Sequence, residues 1–440
     1  MKRSLPWMLL SDHGMIVVLV LLCIAFTLLT LREYHPIDEA AAREVAAAVL
    51  REGGTAPRVV VIVGVKDEEA AFASQLQSEL TEGGATVLAA VKPGDLARTL
   101  QSLAERRVRI DALAGNYASA SLLRESDFPG AYATLPVLTP ASRTWPMFLQ
   151  VSNFRNIANQ IAVIAIVAIG MTLVIITGGI DLSVGSMIGL AAVLAALLIR
   201  DVFGATEATV PAMAIASLAG IAACGLIGLF NGVMITSFRV PPFVVTLAMM
   251  WALRGLAYIV ADGQSVYQIP EEFVWLGRGA DLLTIPNPVV LMAILYGCAH
   301  VLMTRMTLGR YLYAVGGNAE AARLAGVPVP RVLIFAYTVS GLLAGLGGVI
   351  LASQQKSAEP SYGQSDELSV IAAVVVGGTS LSGGEGRIFG TLVGALIIAV
   401  IRNGMNMMNL SAYPQWVVFG LVILAAVLLD RWKHTRGNAG

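Results

Sequence analysis

The sequence predicts an all-α polytopic membrane protein of about ten transmembrane helices, with a small α/β extracytoplasmic domain inserted behind the first helix. Three observations lead there. Of 440 residues, 56% are apolar and 13% charged, and the mean hydropathy is +0.74, whereas soluble domains carry roughly a quarter charged residues. The apolar residues come in a series of segments near the ~20 residues that a helix needs to cross a hydrocarbon core of ~30 Å. The charges are bunched: residues 36–140 hold 14 acidic and 10 basic side chains, while 29 of each sign occur in the whole chain. The balance of signs leaves no basic excess for phosphate, which excludes nucleic acid as a partner. Cys23, Cys224 and Cys298 lie far apart in or beside apolar stretches, so they offer neither a disulfide framework nor a metal-ligand spacing. They read as small buried hydrophobes, and neither a metal site nor a cofactor is expected.

Region 1–35 opens with Lys2 and Arg3 and continues into an apolar run from Met15 to Leu31, broken in polarity only by Thr27 and Thr30. A cleavable signal peptide is the rival reading, but Arg32, Glu33 and Tyr34 follow without a small-residue cleavage site. The run is taken as a retained anchor with a cytoplasmic start. Region 36–140 is the insert. Arg58 to Val65 is β-branched and strand-like, Glu68 to Gly83 helix-patterned, Ala85 to Val91 a second strand, Asp95 to Arg107 a second helix and Arg109 to Ala114 a third strand. That order gives β-α-β-α-β with a parallel sheet.

Region 141–440 holds the remaining spans, expected at 160–178, 184–200, 211–235, 243–261, 288–304, 332–351, 366–380, 387–402 and 415–430. Their small residues recur at four-residue spacing, as in Gly228 with Gly232 and Gly341 with Gly345, which lets helix backbones approach closely. Basic residues orient the bundle. With a cytoplasmic start, the inside loops hold Lys2, Arg3, Arg239, Arg305, Arg310, Arg323, Arg331, Arg387, Arg431, Lys433 and Arg436, against Arg200, Arg278, Lys356 and Arg402 outside. Both termini are then cytoplasmic and the insert lies outside, since long domains translocate largely regardless of charge.

The most basic inside loop, residues 304–331, has a design of its own. Asn318 can cap a short helix, Ala319 to Ala325 favour helix, and Gly326 followed by Pro328 ends it. Gly317, Glu320, Ala321, Ala322, Arg323 and Gly326 then present a small, flat surface with one acid and one base. Docking into a groove on another protein and an ordinary solvated loop helix both fit this pattern.

A second feature repeats. Gly178-Gly179-Ile180-Asp181-Leu182-Ser183-Val184-Gly185 and Gly377-Gly378-Thr379-Ser380-Leu381-Ser382-Gly383-Gly384 both read GG-x-x-L-S-x-G between apolar segments. Paired Gly-interrupted helices mark the pathway in transporters built from internal repeats. An inverted repeat would require 366–380 to be re-entrant. The alternative is a pair of tight turns in which Asp181 and Ser380 cap the next helix, although an ionisable group at membrane depth is by default a functional candidate. The Leu381–Glu385 stretch imitates a nucleotide-binding loop, but no lysine follows a glycine as a phosphate-binding loop requires. His13, His35, His300 and His434 are scattered, so nothing supports an enzyme.

At this point the segments 170–192 (GMTLVIITGGIDLSVGSMIGLAA), 230–255 (FNGVMITSFRVPPFVVTLAMMWALRG), 308–327 (LGRYLYAVGGNAEAARLAGV) and 371–397 (IAAVVVGGTSLSGGEGRIFGTLVGALI) resemble the permeases of bacterial ribose- and xylose-type ABC importers. The resemblance runs over the anchor and about 148–431. It implies a multi-pass subunit of the inner membrane that translocates a monosaccharide, pairs with a second permease copy, is driven by a separate ABC ATPase subunit and receives sugar from a periplasmic binding protein. It further implies that the 304–331 helix is the coupling helix seated in the ATPase, and that Asn231, polar within a span, is a pathway group alongside Gly178, Gly179, Asp181, Ser183, Gly377, Gly378 and Ser380. A helix-packing hydrogen bond is the other reading of Asn231. Family members join the first two spans by a short loop, whereas roughly a hundred residues intervene here. The insert is expected to meet the binding protein at the external mouth, with a passive role or a rudimentary binding lobe of its own as the rivals. An ion-driven carrier, the competing transport class, would draw on Asp181 and Arg254.

Overall fold

The computed structural model describes residues 5–54, 56–64, 66–124, 128–132 and 134–437. Lys2 and Arg3 lie outside the described residues, as do the side chains of Arg431, Lys433 and Arg436. Contacts divide the chain into two units, Leu31–Pro146 and the remainder.

The chain begins with α1 (Leu5–Leu29), which belongs to the larger unit. The smaller unit opens and closes on one ribbon, β1 (Leu31–Tyr34) antiparallel to β6 (Arg143–Pro146), with Leu31 opposite Pro146 and Tyr34 opposite Arg143. Between them run α2 (Glu39–Glu52), β2 (Arg58–Ile62), α3 (Asp67–Glu82), β3 (Thr86–Val91), α4 (Pro93–Glu105), β4 (Ala112–Gly115), the single turn α5 (Tyr117–Ala120) and β5 (Val137–Leu138). The sheet order is β3-β2-β4-β5, every pairing parallel. Alternation along β2 builds two cores, because successive side chains point to opposite faces. Val59 and Val61 join Val45, Val49, Leu76 and Leu80 of α2 and α3, while Val60 and Ile62 join Leu96 and Leu100 of α4. The Asp38 side chain accepts the Ala41 amide at 2.9 Å and so starts α2.

The larger unit is helical. After α1 come α6 (Val151–Ile176), α7 (Val184–Leu197, extended by a π-turn over Leu198–Val202), α8 (Val210–Ser237), α9 (Pro242–Val260) and the short α10 (Trp275–Arg278). Then follow α11 (Asn287–Arg305), α12 (Thr307–Gly317), α13 (Ala319–Leu324), α14 (Val329–Gln355), α15 (Asp366–Val376), α16 (Ile388–Met407) and α17 (Ala412–Gly437). Seven helices among the described residues are long and apolar enough to cross a membrane: α6, α7 with its π-turn, α8, α9, α11, α14 and α16. Helix α6 is the axis, buried without interruption from Ile161 to Thr177. Helices α8 and α14 cross through their glycines. Gly341 lies against the Cys224 backbone and Gly345 against Ile221, and a Cβ on Gly228 would strike the Tyr337 carbonyl. Small residues permit that approach, and dispersion across it holds the pair.

The expected span over 366–380 takes a different form. Helix α15 has 11 residues, about 16 Å at 1.5 Å per residue, half of what a crossing requires. The shortening has a cause in the preceding segment. Lys356 and Ser365 adopt positive φ, and Gly363 packs on the Gly185 carbonyl at the first turn of α7. The chain is therefore irregular until Asp366.

Candidate functional site at the two glycine breaks

The first break, Thr177–Ser183, leaves α6 through Gly178 at φ +80°, where a side chain would be strained. Asp181 is fully buried. Its Oδ1 accepts the Ser183 hydroxyl at 2.5 Å and the Ser183 amide at 3.1 Å, and its Oδ2 accepts the Ser340 hydroxyl of α14 at 2.9 Å. Asn231 of α8 donates its Nδ2 to Ser183 Oγ at 3.1 Å, and the Thr246 hydroxyl of α9 lies 3.1 Å from the Ile180 carbonyl. Three helices thus grip one extended segment. Asp181 does not cap α7: it bonds Ser183, the residue before the helix, and reaches across to α14. Asn231 is a packing hydrogen bond and a contact of the break at once.

In the second break, Ser380 is buried, donates its amide to the Glu385 carbonyl at 3.1 Å and accepts the Ser382 amide on its Oγ at 3.3 Å. Gly377 packs against the Gly390 backbone, and Gly378 lies 3.5 Å from Met15 as a Cβ would see it. The breaks, two hundred residues apart in sequence, meet. The Gly384 amide donates to the Ile176 carbonyl at 2.8 Å, and a Cβ on Gly383 would sit 3.0 Å from the Gly178 nitrogen. Gly316, in the last turn of α12, closes the junction: a Cβ there would strike the Ile176 carbonyl and lie 2.5 Å from the Gly384 nitrogen. The Tyr313 hydroxyl, one turn earlier, donates to the Gly386 carbonyl at 2.8 Å.

Directly after that junction, Gly317 is exposed and Asn318 caps α13 by accepting the Ala321 amide at 2.9 Å. Glu320 and Arg323 pair on the exposed face, Arg323 Nε to Glu320 Oε2 at 3.0 Å. The Arg323 hydrogen bond holds the Glu320 carboxyl below the usual carboxylate range. Ala321 is exposed, Ala322 buried, and Gly326 at φ +84° ends the helix by donating to the Arg323 carbonyl at 3.0 Å. Leu324, which sequence reasoning passed over, is 75% exposed.

Other members of the site also escaped the sequence. Ser340, Tyr337 and Thr246 look like ordinary small or aromatic residues of apolar spans until the break is seen to lie against them. Glu367, at the start of α15, and Arg254 of α9 approach to 3.9 Å, and a Cβ on Gly185 would collide with the Glu367 carboxylate. Below the first break lies a cavity of about 340 Å³ between Thr177–Gly179, the α8–α9 connection and the start of α14. No group of three His, Cys, Asp or Glu side chains is placed to hold a metal among the described residues.

The family described as branched-chain amino acid transport system / permease component matches residues 153–427, a range that starts beyond the smaller unit. The ribose import permease protein RbsC of Escherichia coli (strain K12) is 42% identical over 306 residues, 69% of this chain and 92% of that protein. RbsC of Bacillus subtilis (strain 168) is 44% identical over 290 residues, 66% of this chain and 87% of its own length. The L-arabinose ABC transporter permease protein AraH of Azospirillum brasilense is 36% identical over 305 residues, 69% of this chain and 87% of its own. No solved structure matches the chain.

Proposed function

This chain belongs to the branched-chain amino acid transport system / permease component family, and we propose that its cargo within that family is a monosaccharide of the pentose or hexose class. It is a multi-pass inner-membrane permease of a sugar-importing ABC system and no enzyme; a separate ATPase subunit hydrolyses ATP, and a substrate-binding protein is its other partner. The likeness to ribose import permeases along nearly their whole length carries the choice of sugar class.

The mechanism follows from the junction. Helix α13 is the coupling helix in this reading, with Glu320, Ala321, Arg323 and the exposed Leu324 meeting the ATPase and Gly317, Asn318 and Gly326 setting its ends. Displacing α13 pulls on Gly316, which is wedged between Ile176 and Gly384, so both breaks move with it. Gly178, Gly179, Asp181, Ser183 and Asn231, with Gly377, Gly378 and Ser380, then line or gate the pathway, and transport arises from the different affinities of the two states for sugar. Both termini are cytoplasmic and two copies pair around the pathway; the span count of ten includes α1 and α17, with the half-length α15 completing its pass together with the irregular segment before it. The insert, 36–140 by sequence and Leu31–Pro146 by contacts, lies outside and receives the binding protein.

The test is uptake of a panel of labelled sugars by the complex of this chain with its ATPase and binding protein in proteoliposomes. ATP-dependent uptake of one pentose or hexose is expected. Uptake that persists with a hydrolysis-deficient ATPase and follows an ion gradient would overturn the reading.

A further inference from the structure

Arg254 stands well inside an apolar span. It follows Pro242 by twelve residues and precedes Val260 by six, about 18 Å and about 9 Å from the two ends of α9 at 1.5 Å per residue. A guanidinium at such depth is costly against lipid and faces a bundle interior or a water-filled cavity instead. Its partner, Glu367 of α15, is 3.9 Å away, too far for a hydrogen bond. Of the three guanidinium nitrogens only Nη2 is enclosed without an acceptor among the described residues, and 19% of the side chain is accessible, so the other two can be reached. Trp251, one turn earlier, has its ring 5.7 Å from Arg254 Cζ and is 64% exposed. Tryptophan in membrane proteins collects at the two water interfaces, yet Trp251 is nine residues into the span.

We propose that Trp251 and Arg254 form the strip of α9 that touches the sugar in transit, with Glu367 as the positioning residue that holds the guanidinium. The chemistry selects the ligand class. The indole offers a flat face to the C–H side of a ring, and the guanidinium offers donors to its oxygens. Arg254 and Glu367 cancel in charge, so the strip gives no net charge to a coupling ion or a charged solute. A neutral polyhydroxylated ring fits that set. The strip is also tied to the first break. A Cβ on Gly185, in the first turn of α7, would strike the Glu367 carboxylate, and the Ser186 hydroxyl donates to the Met250 carbonyl of α9 at 2.7 Å. Helix α7 starts at Val184, where the break ends. Movement of the break therefore shifts the strip, which gives it different affinities for sugar in the two states.

The proposal rests on the sugar-permease reading, and the test separates the two. Arg254→Lys keeps the charge opposite Glu367 and loses the flat fork of donors. In the reconstituted complex it is expected to lower uptake at saturating sugar about tenfold, with thermal midpoint and retention of the ATPase as in wild type. Trp251→Leu keeps an apolar side chain without the ring and is expected to lower uptake about threefold under the same controls. Full uptake by Arg254→Lys would show that the arginine only neutralises Glu367, and full uptake by Trp251→Leu that its ring meets lipid or a second copy. Either result would overturn the strip and leave the permease reading standing. If Arg254→Lys fails to fold, Trp251→Leu decides alone. A wild-type complex that imports no sugar would bring down the permease reading instead.

Discussion

A carboxylate among apolar helices is costly unless its oxygens are bonded, and Asp181 meets that condition with two hydroxyls and an amide rather than with a cation. Removing one donor leaves an oxygen unsatisfied. Ser340→Ala is therefore expected to cost about 1–3 kcal/mol, visible as a lower thermal midpoint of the detergent-purified chain. Leu324 poses the opposite problem, a large apolar side chain presented to solvent beside an ion pair. Its exposed apolar area is area that a partner protein could remove from water. Leu324→Asp is expected to weaken retention of the ATPase subunit at least tenfold in a pull-down while leaving the midpoint unchanged. In the smaller unit, Asp111 accepts the Arg58 amide at 2.9 Å and the Arg109 Nε at 2.7 Å, and these bonds, the amide foremost, hold its carboxyl below the usual range. Its folded value lies under the unfolded ~3.9, so the contribution is present above that value and is lost as pH falls through the folded one. Asp111→Asn should lower the melting temperature of this unit near neutral pH, and the difference from wild type should vanish in acid.

Elements built on local rules were legible in the sequence. The strand expected over 58–65 is β2 at Arg58–Ile62, the helix over 68–83 is α3 at Asp67–Glu82, and the short helix of the 304–331 loop runs from its Asn318 cap to the Gly326 turn. Hydrophobic periodicity and capping chemistry are properties of neighbours in sequence. The half-length α15 was not legible, because what delays it is contact of Gly363 with α7, made by tertiary packing. The breaks themselves could be read from GG-x-x-L-S-x-G, but their meeting could not: a glycine written for a turn and one written for close approach look the same. Gly316 is of the second kind. Gly316→Ala should separate the Ile176 carbonyl from the Gly384 amide and cut ATP-driven uptake more than tenfold, while ATP hydrolysis continues. Tyr313→Phe, which only releases the Gly386 carbonyl, should give a smaller loss in the same assay.

At the scale of the whole molecule, the chain joins a helical bundle to an independent α/β unit, each with its own buried clusters. The apolar composition foretold a polytopic helical protein, and the bunched charges fall within the smaller unit. The bundle closes without it. The Met147 amide donates to the Thr30 carbonyl at 3.1 Å, the Phe148 amide to the Thr30 hydroxyl at 3.1 Å, and Phe26 stacks near Phe148 with centroids 6.1 Å apart. Replacing residues 31–146 by a short glycine linker is expected to leave the bundle folded, with its thermal midpoint retained. Uptake should fall if the insert receives the binding protein, and unchanged uptake would show it to be passive.

Thr30 and Met147 thus form a socket. A loop whose two ends already touch adds little closure entropy however long it grows, so this position tolerates cargo of almost any size at small cost to the bundle. A fluorescent protein with adjacent termini, exchanged for the native unit at these two residues, would report folding and insertion of the bundle without altering any of its helices.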